Sequence, residues 1–326
     1  MNEKKILLTG GAGFIGHHVA QALRGANEVH VVDNLCRHRA VPAWLTAQPD
    51  VRFLHRDVRD VEAVRRFLPS DLTHIIHLAA VAGVQTVQND PVESMRSNLE
   101  GNLAVGTLAE ALPRLERLVF FSSSEVYGPN AAGVAESHVD LRLRVDEPRW
   151  TYAISKLAGE MLLHQIGRRS GLPVTVVRPF NVYGPHQLGE SAVHSFAAQA
   201  LAGEPLRIRG SGQQRRAWCH VRDLVHGLLL ILGSRRAEGE IFNLGNPDAV
   251  CTVRELAMAI RTAARSRSPL RDEPTPFDDV LDRVPSIEKA ETLLGFAPRV
   301  ALPEGLEDTV RWYEGLYAPS RVQPAG

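Results

Sequence analysis

Apolar and polar positions along the first half of the chain follow a repeating two-part rhythm. Short, nearly continuous apolar runs at Lys5–Thr9, Glu28–Val32, Val51–His55, His74–Leu78, Leu118–Ser122 and Val174–Arg178 read as strands buried on both faces. Between them, apolar residues recur at helical spacing near Phe14–Leu23, Val61–Phe67, Val92–Ala111 and Ala153–Ser170. Strand and helix in alternation predict a doubly wound parallel sheet with helices on both faces. After about Phe180 the rhythm changes. Short strands at Leu206–Arg209 and Ile241–Leu244 mix with helices at Val193–Leu201, Arg222–Leu232, Val253–Ala264 and Leu302–Tyr317. Two parts are therefore expected: a nucleotide-binding domain over residues 1–180, and a smaller α/β lobe over 181–326, with a cleft between them. Ser266–Pro285, rich in proline and charge, reads as an ordered loop over a site or as a connector, and Pro319–Gly326 as a frayed end.

Composition narrows the class without choosing a chemistry. Lysine plus arginine and aspartate plus glutamate both number 37, so the formal charge is zero and no general attraction to nucleic acid or to an anionic membrane is expected. The three cysteines, Cys36, Cys219 and Cys251, are far apart and form no metal-ligand spacing, which argues against a disulfide framework and against a metal site. The chain passes from Asn2–Lys5 directly into an apolar strand, so no signal peptide is expected, and the stretch around Leu228–Leu232 is too short to span a bilayer. A soluble, cytoplasmic protein is expected.

The first chemistry appears directly after the first predicted strand, in Gly10-Gly11-Ala12-Gly13-Phe14-Ile15-Gly16. Glycines at 10, 13 and 16 permit a tight turn, close backbone approach to a pyrophosphate, and close packing of helix on strand. The helix opening at Phe14 and Ile15 then offers free N–H groups to phosphate. The pattern is Rossmann-type. Asp33 ends the second strand, where an acid takes the adenosine ribose hydroxyls and favours NAD over NADP. Arg37 and Arg39 follow closely and leave some NADP use open. Asn34, Val58, Leu78, Ala79 and Ala80 lie at the same carboxyl ends of strands. Asp57 either reaches the adenine or caps the helix before Val61.

Tyr152 and Lys156 sit four residues apart in a predicted helix, so phenol and ammonium share a face. A tyrosine near pKa 10 is a poor base at neutral pH, and a nearby ammonium is expected to lower that value. The fifth strand runs into Ser122-Ser123-Ser124-Glu125-Val126-Tyr127-Gly128, which places Ser123 at the carboxyl end of the sheet, where open α/β sheets bind ligands.

With these residues in hand, the chain resembles the extended short-chain dehydrogenases that modify nucleotide sugars, over nearly its full length. The glycine motif, His77–Ala80, Ser122–Gly128, Tyr152–Lys156, Arg178–Pro185 and Gly210–Leu224 fall in that family's order. The resemblance implies NAD as cofactor and a nucleotide-linked sugar, UDP-linked, as substrate. It also implies Tyr152 as the base, Lys156 on the nicotinamide ribose, Ser123 as the proton-relay hydroxyl, Asn98 near the cofactor, and Asn181 on the sugar diphosphate. It implies a homodimer through the helices carrying Val92–Ala111 and Tyr152–Lys156, whose apolar positions core packing explains equally well.

Glu125 bears on the reaction. Typical 4-epimerases of this group carry a small or hydroxyl residue there, whereas a carboxylate implies chemistry at C5. The 4,6-dehydratases with an Asp-Glu pair would have aspartate where Ser124 stands. Ser124-Glu125 before Val-Tyr-Gly resembles the UDP-glucuronate decarboxylases, as do Glu147–Tyr152, Gly210–Arg216 and Arg283–Lys289 with Leu294–Pro298; GDP-mannose dehydratases share the hydroxyl–Ser–Glu run. That resemblance implies Arg216 on the diphosphate and Arg283 close to the acidic sugar or its diphosphate, where a planar guanidinium binds bidentately. The alternative for Arg215 or Arg216, a solvated surface charge, carries less weight, least of all for Arg216. Val81-Ala82-Gly83-Val84 departs from the decarboxylases' proline-rich loop and looks like the UDP-glucuronate and UDP-glucose 4-epimerases. The expected reaction is NAD-dependent decarboxylation of UDP-glucuronate, with 4-epimerase and then 4,6-dehydratase as alternatives. A non-catalytic NAD-binding sensor is opposed by the complete Ser123, Tyr152 and Lys156 set.

Overall fold

Side chains buried on both faces make most of the apolar runs inner strands, whereas Val51–His55, expected to be buried on both faces, lies at the sheet edge with only Val51 buried. The computed structural model describes residues 1–37, 42–45, 47–139, 143–275 and 280–317, so Arg39 and Pro319–Gly326 lie outside the described residues. The first part runs β1 (Lys5–Thr9), α1 (Phe14–Leu23), β2 (Glu28–Asp33), β3 (Val51–His55), α2 (Val61–Phe67), β4 (His74–His77), α3 (Val84–Asn89), α4 (Pro91–Ala111), β5 (Arg117–Phe121), β6 (Asn130–Val134), α5 (Trp150–Ser170) and β7 (Val174–Pro179). Then follow β8 (Val182–Tyr183), α6 (Ala192–Ala202), β9 (Leu206–Arg209), β10 (Arg215–Ala217), β11 (Cys219–His220), α7 (Val221–Gly233), β12 (Ile241–Leu244) and β13 (Val250–Thr252). The chain continues through α8 (Val253–Ala263), β14 (Leu270–Glu273), β15 (Asp282–Pro285), α9 (Glu288–Leu294) and α10 (Leu302–Tyr317).

Seven strands form one sheet in the order β12-β7-β5-β4-β1-β2-β3, each pair parallel. Chain order reverses between β1 and β4, which opens a crevice at their carboxyl ends. One apolar layer joins Val19 and Leu23 of α1 to Leu224, Leu228 and Ile231 of α7 beneath the sheet. The other packs Val64 of α2, Val105 and Leu108 of α4, and Leu163 and Ile166 of α5 on the opposite face. The fold is therefore the doubly wound α/β sheet expected from the periodicity. β12 and α7 come from beyond Phe180 yet belong to this sheet and its lower layer.

A second sheet has the order β13-β10-β15-β6, with β10 antiparallel to β13 and parallel to β15, and β15 parallel to β6. A third apolar cluster, with Phe196 of α6, Leu256 of α8 and Val310 of α10, underlies this part. Two expectations need correcting. The stretch Ser266–Pro285 is not simply a loop, because it carries β14, paired with β9, and β15. The helix expected from Ala153 begins at Trp150, because Trp150 is buried against Ala153 and Val280 and its indole N–H donates to Glu147 Oε2 at 2.8 Å. Tyr152 consequently lies in the first turn of α5.

A row of aromatic rings crosses from the sheet domain to α10. His17 of α1 stacks on His186 at 4.0 Å, with Trp44 edge-on to His17 and Trp312 against His186. Burial pushes the His17 imidazole down to about 3, aided by His186, His18 and Arg24, and burial takes His220 and His74 down to about 4. These groups bind protons less well folded than unfolded, so stability falls as pH drops through the ordinary value of 6.5 towards 4. Lys156, lowered by burial to about 7, adds stability as pH rises from 7 towards 10.5. Calorimetry is expected to give a thermal midpoint that declines steadily from pH 7.5 to pH 5, with a shallower decline in His17→Asn. Equal midpoints at the two pH values would refute this.

Candidate active site and cofactor cleft

At the switch point between β1 and β4 lies a cleft of about 340 Å³. It is lined by Gly10, Gly13, Phe14, Ile15 and Gly16 from the first turn, Asp33 and Asn34 after β2, Asp57 and Val58 after β3, Leu78, Ala79 and Ala80 after β4, and Asn98 of α4. Arg37, named beside Asp33 from the sequence, lines it as well, and so do Cys36 and Ser97, which were missed. The helical spacing of Ser97 to Gly101 around Asn98 was the available signal for Ser97.

The residues fit a dinucleotide. Gly10 has φ +70°, and a Cβ there would lie 2.7 Å from Ala79 N, so only glycine lets the first loop and the β4 end approach this closely. The N-terminus of α1 has no capping side chain and no acid in its first turn, which leaves its amides for phosphate. Asp33 braces the same turn, accepting from Ala12 N–H at 3.0 Å and Leu35 N–H at 2.8 Å. Asp57 is not the cap of α2. That role belongs to Asp60, which accepts from Ala63 N–H at 3.1 Å. Burial pushes the Asp57 carboxyl up, but hydrogen bonds from Arg59 and Asn34 prevail and hold it at about 2.

Beside the cleft, the turn after β5 presents Ser123, whose hydroxyl accepts from Glu125 N–H at 3.2 Å and also hydrogen-bonds the Tyr152 phenol. Lys156 is buried, donates to Phe121 O at 2.8 Å, and sits 5.9 Å from the centre of the Tyr152 ring. The expected lowering of the phenol by the ammonium is absent. Burial pushes Tyr152 up to about 12, Ser123 opposes that rise, and Glu125 adds to it. The physical reason is that Lys156 points to a strand carbonyl and is itself lowered by burial to about 7.

Long-range pairing completes the site. β6 leaves the Glu125 turn and pairs with β15, Arg283 opposite Ala131, and this register carries the Arg283 guanidinium back to the turn. It lies 3.2 Å from Glu125 Oε1 and donates to the carbonyl of buried Ser124 at 2.6 Å, with only 2% of its side chain exposed. Arg216 stands beside Arg283 in the same sheet and donates to Arg215 O and Leu281 O, while Arg215 faces Asp282 at 3.5 Å. Asn181, at φ 36°, donates its amide to Ala217 O at 3.1 Å and Arg283 O at 3.5 Å, tying the end of β7 to the second sheet. Sequence reading missed the buried cluster of Glu160, Arg178 and Tyr127 behind α5, for which no local signal exists. Among the described residues, no group of His, Cys, Asp or Glu side chains could hold a metal ion, and no helix is long and apolar enough to cross a membrane.

The model of the NAD dependent epimerase/dehydratase family matches residues 6–245. The chain belongs to the NAD-dependent epimerase/dehydratase family. NAD is its cofactor. Its relatives include UDP-glucuronic acid decarboxylase 1 of Danio rerio, 35% identical over 96% of this chain and 73% of the relative. UDP-N-acetyl-alpha-D-glucosaminuronate decarboxylase of Bacillus cytotoxicus is 30% identical over 96% and 99%. Among solved structures, UDP-glucuronic acid 4-epimerase from Bacillus cereus, with UDP-glucuronic acid and NAD, superposes with a TM-score of 0.85 at 27% identity, covering 96% of this chain and 100% of that one. The family member described here thus stands close to decarboxylases and to a 4-epimerase alike.

Proposed function

We propose that this enzyme decarboxylates UDP-glucuronate through oxidation at C4, giving the UDP-4-keto-pentose, UDP-xylose, or both. The observation that carries the reading is the Glu125–Arg283 pair, 3.2 Å apart on the turn that carries Ser123. A carboxylate with its own buried cation is available there for work at C5, which a simple 4-epimerase does not require. NAD, which the glycine turn, Asp33 and the end of β4 would hold, would supply the acceptor for the C4 hydride and a positive charge that favours the phenolate. Tyr152, with Ser123 hydrogen-bonded to it, removes the proton of the C4 hydroxyl. The resulting ketone lies beta to the C6 carboxylate, so carbon dioxide leaves and its bonding electrons pass into the C4 carbonyl. Tyr152 returns its proton to the enolate oxygen, and Glu125, kept in place by Arg283, governs proton delivery at C5. The lobe built largely from residues beyond 180, with Asn181 and Arg216, holds the sugar nucleotide.

The second reading is a UDP-glucuronate or UDP-glucose 4-epimerase, favoured by the Val81–Val84 segment. Purified enzyme incubated with UDP-glucuronate and NAD decides between them by mass spectrometry. Loss of carbon dioxide supports the proposal, whereas unchanged mass with a new epimer replaces it. Glu125→Gln is expected to leave NAD affinity within about twofold and to slow carbon dioxide release by roughly a hundredfold, within the range of acid–base contributions. Normal turnover in that variant would remove Glu125 from the mechanism. We also propose a homodimer packed through α4 and α5, whose outer faces leave Leu103 and Met161 exposed. Sedimentation at micromolar concentration reads this directly.

A further inference from the structure

The wall of the cleft formed by Val81 and Ala82 is held from both sides. On the sheet side, Asn98 accepts from Val81 N–H at 2.7 Å and donates to Val81 O at 3.1 Å, and it also donates to Ser155 Oγ at 3.0 Å. The Ser155 hydroxyl in turn donates to Tyr152 O at 2.8 Å, so this anchor is continuous with the first turn of α5. On the opposite side, the carboxylate of Glu190 accepts from Gln85 N–H at 2.7 Å and Thr86 N–H at 3.2 Å, and it is also bonded by the Thr86 hydroxyl. Glu190 belongs to the segment joining β8 to α6, far from α3 in sequence.

That segment is itself fixed at several points. Pro185 O meets the His18 ring at 2.8 Å, Gln187 O accepts from Tyr313, and Gly189 O meets His194 Nδ1 at 2.7 Å. The meeting of strap and anchor depends on Gly83, which has φ +109° and at which a Cβ would lie 2.8 Å from Glu190 Oε2. Any side chain at 83 would displace the carboxylate or the turn.

We propose that Glu190 is a positioning residue. It latches the Val81–Gly83 wall to the sugar-binding lobe, and so keeps the oxidised sugar enclosed until the hydrogen is returned. The inference rests on the proposed function in requiring a 4-keto intermediate and return of the hydrogen before release, as in the formation of UDP-xylose and in the epimerase reading; release of the UDP-4-keto-pentose as the sole product of the wild-type enzyme would overturn it. With Glu190 in place the wall is closed between two anchors. Without it the wall keeps its Asn98 anchor but loses the tie to the segment between β8 and α6, and the keto sugar escapes and leaves NADH behind on the enzyme.

The test compares Glu190→Ala with Glu190→Gln in the full chain. In the ligand-free protein, hydrogen exchange at the amides of Gln85 and Thr86 is expected to accelerate about fivefold in Glu190→Ala, the equivalent of a lost helix cap, and to stay near wild type in Glu190→Gln, which keeps an acceptor oxygen. With NAD and UDP-glucuronate, Glu190→Ala is expected to raise KM about fivefold and the NADH stranded per turnover several-fold, while the initial burst of NADH formation is unchanged. Unaltered exchange at Gln85 and Thr86, or faster exchange with wild-type KM and wild-type stranded NADH, would overturn the latch. A wild-type enzyme that merely epimerises the sugar sinks the decarboxylase reading and leaves these comparisons fully readable.

Discussion

Tyr152→Phe is expected to lower kcat by roughly a hundred- to ten-thousandfold, the range of a lost general acid–base, while NAD affinity stays within about twofold. The ring is retained, so packing on the first turn of α5 survives and the change falls on the proton alone. The phenol stands at about 12 in the ligand-free protein because burial outweighs the Ser123 hydrogen bond. Tyr152 is therefore no standing base in the ligand-free protein, and under the proposed reading it must give up its own proton to solvent before it accepts that of the C4 hydroxyl, a loss that the positive charge of bound NAD would favour. Lys156, near 7 and donating to Phe121 O, is available to turn towards a ribose hydroxyl and carry its charge into the site. The pH profile of kcat is expected to show one ascending limb that disappears in Tyr152→Phe. A variant retaining a tenth of wild-type activity would mean that another group takes the proton.

What the sequence made legible divides along a physical line. The parallel sheet, the glycine turn and the Tyr152–Lys156 face are local: each is set by a periodicity or a spacing within one element. Gly10 announces a tight turn by itself, and the residues assigned to the cofactor from strand ends meet in one cleft because a parallel sheet gathers its carboxyl ends together. The second sheet was not legible. β10 and β15 are too short for alternation to show, and Arg283 reaches Glu125 only because β15 pairs with β6 across nearly half the chain. The sign of the Tyr152 shift was missed because burial, which no spacing within one element reveals, sets it. Helical spacing gives a shared face, but the ammonium's effect depends on which acceptor it has chosen, here a strand carbonyl. Glu190 lies beyond any local signal, since its partners at Gln85 and Thr86 belong to a short helix with no clear pattern.

Arg178→Met is expected to destabilise the enzyme by about 3–5 kcal/mol, the usual cost of stripping one partner from a buried ion pair. Arg178 lies on β7 with 2% of its surface exposed, and its guanidinium meets both oxygens of buried Glu160, at 2.9 and 2.7 Å. It also donates to Tyr127 Oη and Glu136 O, each at 2.9 Å. Methionine fills much of the space and satisfies none of these acceptors, so Glu160 remains charged without a cation or takes a proton on folding. Tyr127, which donates to Asn243 Oδ1 at 2.7 Å, loses the donor that fixes its oxygen. The network lies close to the chemistry: Glu160 is one turn after Lys156, it receives the Ser122 hydroxyl, and Tyr127 closes the turn that carries Glu125. Thermal scans should therefore show a midpoint lower by roughly 5–15 °C, and kcat at a permissive temperature should fall far less than in Tyr152→Phe. The double variant Arg178→Met with Glu160→Leu separates the causes. If the cost is the unpaired charge, the second change recovers much of the loss; if it is the geometry of α5 against β7, the two losses add. A single variant whose midpoint shifts by less than about 2 °C would show that the pair does not hold the helix in place, and the position of Lys156 would then rest on its bond to Phe121 alone.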